Sequence, residues 1–293
     1  LSCQPVSSSS SDEPAGTPAT SVPDSLPEPP PRQSSPMTMA PDIEVAVSPY
    51  ANLLGSYVGF FEAEIYNEED DISWANRITI FLDSIVAGQL YGHSVVAGNA
   101  RPFLGNFEAQ ADGPHIATGK EPGDDRYDGT FTFRISDDGQ SLEGHWRSYR
   151  PLPVSGREFK LEKRTFSYDP RNTPFPNIYM ADLYGTYDRE TGESEMITEE
   201  AAHFNASRER LKKADVENLY RADLEVIRNA IYARHGYSFK NRRMRYIFDT
   251  YVDWYMPVST DIRAQLTELE RTNIDLLKRY EQHAERYYDA FGR

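Results

Sequence analysis

The sequence predicts an α+β protein with separate domains: an antiparallel up-and-down β-barrel of about eight strands, then a small all-α helical domain, both after a disordered N-terminal tether. Three observations predict this order. Eleven of the 20 prolines and eleven serines precede Tyr50. Short runs of alternating hydrophobicity, separated by Gly and Asp, fill the middle of the chain. From about Ala214 onward, apolar residues recur with a helical period.

The tether is predicted over residues 1–49. A segment this rich in Ser and Pro cannot bury enough apolar surface to offset the entropy lost on ordering. The barrel domain is predicted over 50–190, a connecting segment over 191–213 and the helical domain over 214–293.

Cys3 is the only cysteine of the chain and stands at the edge of the Ser/Pro-rich run. The start Leu1-Ser2-Cys3 resembles the end of a bacterial lipobox, in which a small residue precedes a cysteine that becomes acylated. The resemblance implies a removed signal peptide, lipidation of Cys3 and anchoring of the protein at a membrane. Gln4 follows the cysteine, which by resemblance to Gram-negative sorting implies the outer membrane.

Composition narrows the classes of function. The net charge of −15 disfavours a nucleic-acid partner. One cysteine cannot form an intramolecular disulfide or a Cys-based zinc site, and no run of 18 apolar residues is present. Neither an HExxH motif nor a Gly-rich phosphate loop occurs. We therefore expect no metal, no cofactor and no enzymatic activity.

The barrel strands are predicted from period-two alternation and turn residues. The alternation is clearest over 129–135, and Asp137-Asp138-Gly139 is a tight-turn signal directly after it. Two acidic loops, 67–71 and 123–128, are predicted to be solvated hairpin loops, since calcium-loop spacing is absent. The predicted strands are 55–66, 76–83, 87–95, 101–111, 129–135, 141–149 and 157–168, with 181–188 as the candidate eighth.

The rhythm of residues 88–111 resembles avidin-like and lipocalin-like barrels. That resemblance implies a ligand held in the open mouth of the barrel. The alternative is that the aromatic side chains fill the barrel while the polar ones face water. The candidate ligand-binding residues of the barrel are Tyr57, Tyr91, His93, Asn99, Arg101, His145 and Trp146.

Three helices are predicted after the barrel. The first runs from about Ala214 to Gly236, the second over 240–251 and the third over 261–288. Within the first, the segment 224–239 reads LEVIRNAIYARHGYSF and resembles the YARHG domain. The defining pentapeptide, Tyr232 to Gly236, carries no substitution. The resemblance continues through 246–248, 253–255 and 269–274, and covers roughly 214–281.

The YARHG resemblance implies an extracytoplasmic bacterial module without an assigned reaction. Gly236 suits the positive φ that the end of a helix often requires. His235, in the last turn, can interact favourably with the helix dipole. Glu270 is expected to pair with Arg228 or Arg234. The alternative is that part of the motif lines a recognition groove for a wall or peptide ligand. The candidate recognition or structural residues are Arg228, Asn229, Tyr232, Arg234, His235, Gly236, Trp254 and Tyr255.

These features predict a membrane-anchored, extracytoplasmic binding or interaction module of the cell envelope. Its expected partners are the membrane, through the lipid on Cys3, and an envelope protein, a peptide or a wall component. One alternative is a structural envelope protein without a small ligand. The other, less favoured because catalytic motifs are absent, is a hydrolase of wall or glycan substrates.

Overall fold

The computed structural model describes residues 49–287, so Cys3 and the predicted tether up to residue 48 lie outside the described residues. Eight strands form a closed antiparallel barrel in which each strand pairs with the next along the chain and β8 pairs with β1. The fold class expected from the sequence is confirmed. The strands are β1 (Gly55–Tyr66), β2 (Ala75–Val86), β3 (Gln89–Val96), β4 (Asn99–Glu108), β5 (His115–Lys120), β6 (Gly129–Ile135), β7 (Ser141–Ser148) and β8 (Val154–Lys163).

The fifth strand is the one that the sequence pattern missed. His115–Lys120 is short, with Ile116 and Ala117 as its aliphatic residues, and it is stabilised by pairing with β4 and β6. The candidate strand at 181–188 was wrong, since an isolated bridge from Asp182 to Met196 is its only ladder contact among the described residues. The last strand is also shorter than the predicted range 157–168 and begins at residue 154.

Aromatic side chains fill the interior of the barrel. Phe131 packs against Phe103 and Phe159 with ring centroids 5.5 and 6.0 Å apart, and Phe133 lies 6.5 Å from Phe159. Burying one such ring contributes on the order of 2–3 kcal/mol. The alternative in which aromatics fill the barrel is therefore the observed one, and a ligand has no room along the barrel axis.

One end of the barrel is closed by a 3₁₀ turn at Ala51–Leu53. Leu53, the last residue of this turn, is fully buried, and the Tyr57 hydroxyl donates hydrogen bonds to the carbonyl oxygens of Leu53 and Gly139 at 2.7 and 2.9 Å. These bonds tie the first strand to the β6–β7 loop. Among residues 49–287, no such turn covers the opposite end, where the chain passes from β1 to β2, β3 to β4, β5 to β6 and β7 to β8.

The helical part contains four helices among the described residues: α1 (Lys213–Val216), α2 (Arg221–Arg234), α3 (Arg242–Tyr251) and α4 (Glu268–Tyr287). The third predicted helix starts later than expected because Thr267 caps it. The Thr267 hydroxyl accepts from the Glu270 backbone N–H at 3.2 Å, and the Glu270 carboxylate accepts from the Thr267 N–H at 2.9 Å. This reciprocal pair is a capping box.

The chain between β8 and α1 belongs to the helical core. Ile178, Leu183 and Ile197 are buried there against α2 and its neighbours. The sequence analysis divided this stretch between the barrel domain and a connecting segment, and the structure instead packs it on the helices. Its apolar residues lack a regular period because it forms turns and single bridges rather than a helix or strand.

The barrel and the helical part pack together in one compact unit that includes all the described residues. At this seam the β3–β4 turn contains Gly98, with φ of +74°, whose backbone N–H donates to the Ser238 hydroxyl at 2.9 Å. A Cβ at Gly98 would lie 2.0 Å from Lys240 Cγ, so only glycine permits this close approach. The seam fixes α3 beside the unplugged end of the barrel.

Candidate functional site

The unplugged end of the barrel carries a cavity of about 490 Å³, named here the mouth cavity. Its floor is the upper layer of the barrel core, with Phe61, Phe131 and Trp146, and its walls are the four loops at this end. The N-terminal turns of α3 close one side through Arg242 and Arg245. Both the barrel and the helical part therefore build the cavity.

Five arginines line the mouth cavity, against two carboxylates, Asp71 and Glu121. Arg242 holds Asp71 with two hydrogen bonds, at 2.7 and 2.9 Å. Arg101 pairs with Asp125 at 2.6 Å. The other three arginines are Arg126, Arg157 and Arg245.

Arg157 is the most deeply buried of these arginines, with 9% of its surface exposed. Its guanidinium donates to the backbone carbonyls of Phe61 and Ser73 at 2.9 and 3.0 Å. Within residues 49–287, no ion pair joins Arg157 to a carboxylate. Burial, together with the charge of Arg245, lowers the pKa of Arg157 to about 10. The side chain stays cationic at neutral pH in a poorly hydrated position.

Arg245 and Arg126 complete the group of arginines without a carboxylate in ion-pair range in the described part of the chain. Arg245 on α3 donates to the Asn76 side-chain oxygen at 3.0 Å and to the Lys240 carbonyl at 2.9 Å. Burial lowers its pKa, and the charge of Asp249 opposes that effect. Arg126 is exposed and lies over the Tyr127 ring at 4.7 Å.

Glu121 is buried beneath the cavity. One of its oxygens accepts hydrogen bonds from the Gly129 backbone N–H at 2.7 Å and from the Trp146 indole N–H at 3.0 Å. Burial nevertheless raises the pKa of Glu121 to about 7, and the charge of Asp128 acts in the same direction. Near neutral pH this carboxyl is therefore only partly ionised, so it cancels less than one full positive charge of the arginines above it.

Three of the predicted barrel residues line the mouth cavity: Asn99, Arg101 and Trp146. Tyr57 lies instead at the closed end, fully buried and bonded to backbone carbonyls. Tyr91 is exposed, away from the cavity lining. The structure thus brings together the predicted residues at the unplugged end of the barrel.

The two predicted histidines lie outside the mouth cavity. His93 stacks on Phe81 with ring centroids 4.3 Å apart and contacts Asp83 at 2.9 Å. His145 contacts Glu64 at 2.8 Å. Because side chains alternate along a strand, Trp146 faces the interior and its neighbour His145 faces out.

The surface around His145 brings together ligand atoms of Glu64, His145 and Glu158 within 4.8 Å of one another. All three are exposed. Arg147 already forms two hydrogen bonds with the Glu64 carboxylate, at 2.8 and 2.9 Å. An exposed ion-pair cluster accounts for this arrangement.

A second concave surface, the helical groove, has a volume of about 820 Å³ and is lined by α2, α4 and the segment between α3 and α4. Of the predicted YARHG residues, Arg228, Asn229 and Tyr232 face it. Arg228 is bound by the Glu281 carboxylate at 2.5 and 2.8 Å, and the Asn229 amide donates to a carbonyl one turn earlier. Arg228, the cation among these predicted residues, is therefore already neutralised.

His235 and Glu270 form a buried pair, with His235 Nε2 2.9 Å from Glu270 Oε2. The Tyr168 ring stacks on His235 at 4.3 Å, and its hydroxyl donates to Glu270 at 3.1 Å. Burial alone would raise the pKa of Glu270, but hydrogen bonds from His235 and Thr267 lower it to about 2. This network ties α2 to α4.

The expected pairing of Glu270 with Arg228 or Arg234 was wrong. Arg234 instead donates to the Asn172 carbonyl at 2.7 Å and the Ser207 hydroxyl at 3.1 Å. The expectation failed because sequence spacing leaves the direction of a side chain across two helices undetermined.

The remaining predicted YARHG residues are structural. Gly236 ends α2 with φ of +70°, as expected for a helix C-terminus. The Trp254 indole N–H donates to the Thr173 carbonyl at 2.8 Å, and the Tyr255 hydroxyl donates to the Tyr237 carbonyl at 2.7 Å. These bonds hold loops on the helical core.

The fold and the mouth cavity define a class of protein: an eight-stranded antiparallel barrel packed on a helical domain that closes one wall of its cavity. The helical domain is a YARHG domain, because residues 198–282 match the model of that family. The match starts before residue 214, where the sequence resemblance began. No curated protein and no solved structure matches the chain.

YARHG domains are extracellular or periplasmic, which indicates an extracytoplasmic setting for this chain. Among the helices at residues 49–287, none combines the length and the apolar character needed to cross a membrane.

Proposed function

We propose that this protein is an extracytoplasmic binding protein of the cell envelope, attached to a membrane through lipid on Cys3 and the tether that follows. The ligand site is the mouth cavity. The single observation that carries the proposal is an unplugged cavity built by two domains above a fully packed barrel core.

The size and composition of the mouth cavity support a small-ligand site. Its volume of about 490 Å³ lies within the range of pockets that hold small molecules. Trp146 and Phe131 supply an apolar floor, while Asn99 and several arginines supply polar groups around it. Such pockets occur preferentially where two domains meet.

The arginines support a binding role over a purely structural one. A buried cation without a countercharge costs stability, and Arg157 is such a cation in the described chain. The backbone carbonyls that accept from Arg157 offset part of that cost but supply no negative charge. A ligand that completes the site supplies the compensation.

Fragment screening by ligand-observed NMR tests the binding role. The variant Asn99→Trp fills the mouth cavity, and Asn106→Trp places the same ring on the same strand near the other end of the barrel. We expect fragments that bind the parent chain and Asn106→Trp but not Asn99→Trp. A screen without such fragments contradicts the proposed ligand site.

Membrane attachment is tested separately with the full precursor. Cys3→Ser is expected to release the protein from the membrane fraction into the soluble extracytoplasmic fraction. A variant that still fractionates with membranes contradicts the lipid anchor.

A further inference from the structure

We infer that the mouth cavity recognises an oxyanion, a carboxylate or phosphate group carried on a small aromatic or otherwise apolar ligand. Arg157 and Arg245 hold the anion. This inference rests on the proposed function, because it names the class of ligand for the same cavity.

The local charge is opposite to that of the whole chain. The protein has a net charge of −15, yet arginines outnumber carboxylates five to two in the cavity lining. Two of these arginines are already paired, Arg242 with Asp71 and Arg101 with Asp125 and Asp128. The three others face only the partly ionised Glu121 among the lining carboxylates. The cavity is therefore a positive site in a negative protein, which attracts small anions.

The Arg157 guanidinium has N–H donors that its hydrogen bonds to the described residues do not use. The group has five N–H donors, and carbonyl oxygens of Phe61, Trp74 and Ser73 account for three of them. The carbonyls orient the side chain without neutralising it. An oxyanion at the lining would supply the missing charge and accept the remaining donors in the bidentate geometry that guanidinium groups favour.

Arg245 reaches the same cavity from the helical domain, and its charge acts on that of Arg157. Two nearby cations repel each other, and an anion between them relieves that repulsion. One cation belongs to the barrel and the other to the YARHG domain. Anion binding therefore bridges the two domains.

The remaining residues of the cavity lining indicate what kind of apolar group the ligand carries. Trp146 and Phe131 form the floor, and the Tyr127 ring lies at the rim beneath Arg126. Aromatic surfaces of this kind stack on a planar ligand group. The volume accommodates one or two rings with a charged substituent.

Isothermal titration of the full chain with four probes tests the inference: phenyl phosphate, benzoate, inorganic phosphate and the neutral benzyl alcohol. We expect at least one aromatic anion to bind, benzyl alcohol to bind far more weakly, and affinity to fall as salt is added. Binding of phenyl phosphate alone identifies a phosphate ligand, and binding of benzoate alone a carboxylate ligand. Binding of both supports recognition of either oxyanion.

Charge-removing variants assign the binding to the arginines. Arg245→Gln and Arg157→Gln are each expected to lower the affinity for the anion by about tenfold or more. The control Arg134→Gln changes an exposed arginine on β6 and should leave binding unchanged. Because Arg157 also bonds barrel carbonyls, its variant is first checked for cooperative unfolding. If it is unfolded, the half-buried Arg245 carries the test.

The outcomes separate this inference from the proposed function. Fragments whose binding Asn99→Trp abolishes bind in the mouth cavity. If neutral and anionic fragments of this kind bind with equal affinity, and Arg245→Gln leaves that affinity unchanged, the anion inference alone is overturned. If no fragment or probe shows binding that Asn99→Trp abolishes, the proposed ligand site is overturned as well.

Discussion

Arg77 of β2 and Asp249 of α3 bind each other through both backbone and side chain. The Arg77 N–H donates to the Asp249 carboxylate at 2.9 Å, and the Arg77 guanidinium donates to the Asp249 carbonyl at 2.9 Å. The same guanidinium also reaches the carbonyls of Asp253 and Tyr255. This clasp fixes α3 on the barrel and therefore positions Arg245 at the mouth cavity.

Removing the carboxylate from this clasp should destabilise the protein. Asp249→Ala leaves the buried Arg77 backbone N–H without its acceptor, at an expected cost of about 1–3 kcal/mol in the free energy of unfolding. Asp253→Ala is the matched control, because Asp253 contributes its carbonyl rather than its side chain. Chemical denaturation measures both. Equal losses in the two variants would contradict the account of the clasp.

Gly98 should be intolerant of a side chain. Gly98→Ala forces both an unfavourable positive φ and a clash with Lys240, with an expected loss of about 2–4 kcal/mol. Gly113→Ala also has a positive φ, but its Cβ meets open space, so it should lose only about 1 kcal/mol. Thermal unfolding compares them. The seam account fails if Gly113→Ala is the more damaging change.

Glu270 should make the protein sensitive to acid. Its folded pKa of about 2 lies below the ordinary value, so its contribution to stability is fully present above about pH 4.5 and is lost as pH falls toward 2. Glu270→Gln should cost about 2–3 kcal/mol at pH 7 and flatten the acid dependence. The exposed Glu268→Gln in the same turn serves as control. Unchanged acid dependence in Glu270→Gln would refute this assignment.

Glu121 should make anion binding depend on pH. As pH falls through about 7 the carboxyl gains a proton, so the mouth cavity becomes more positive and an anion binds more tightly. Asp128 and the Arg101–Asp125 pair face the same region, and Asp249, whose pKa burial also raises to about 7, acts on Arg245 from α3.

Benzoate is the suitable probe for this dependence because it stays ionised between pH 6 and about pH 8, the range in which Glu121 titrates. Titrations should show tighter binding at the lower pH in the parent chain. Glu121→Gln should show a smaller difference between the two pH values, with Asp249 as the source of what remains, while Glu143→Gln on the outer face of β7 should keep the full dependence. A dependence of undiminished size in Glu121→Gln would contradict the assignment to Glu121.

The sequence predicted the barrel because its pattern is local. The alternation of apolar and polar residues over 129–135 and the turn at 137–139 can be recognised from neighbouring residues alone. The YARHG pentapeptide identifies its domain directly. The sequence pattern missed β5 because this strand is stabilised by pairing with β4 and β6 rather than by its own composition. The capping box at Thr267 and Glu270 follows the T-x-x-E pattern, so the start of α4 was predictable from adjacent residues.

The mouth cavity was predictable only in part. Asn99, Arg101 and Trp146 were found through their positions in strands. Arg157 and Arg245 were missed because burying an arginine depends on the carbonyls and helix that surround it, which only the assembled fold brings together. Of the two acidic loops, 67–71 is exposed as predicted, and Asp71 binds Arg242 from there, whereas Asp128 of the other loop is buried.

Proton–nitrogen correlation spectra of the arginine side chains, recorded while benzoate or phenyl phosphate is added, test the central claim most directly. Arg157→Gln and Arg245→Gln assign the two Nε–H signals. The account predicts that both signals shift together and saturate with the bound fraction, while the Arg134 signal stays in place. Unmoved signals from Arg157 and Arg245, or shifts confined to arginines of the helical groove such as Arg228, would contradict it.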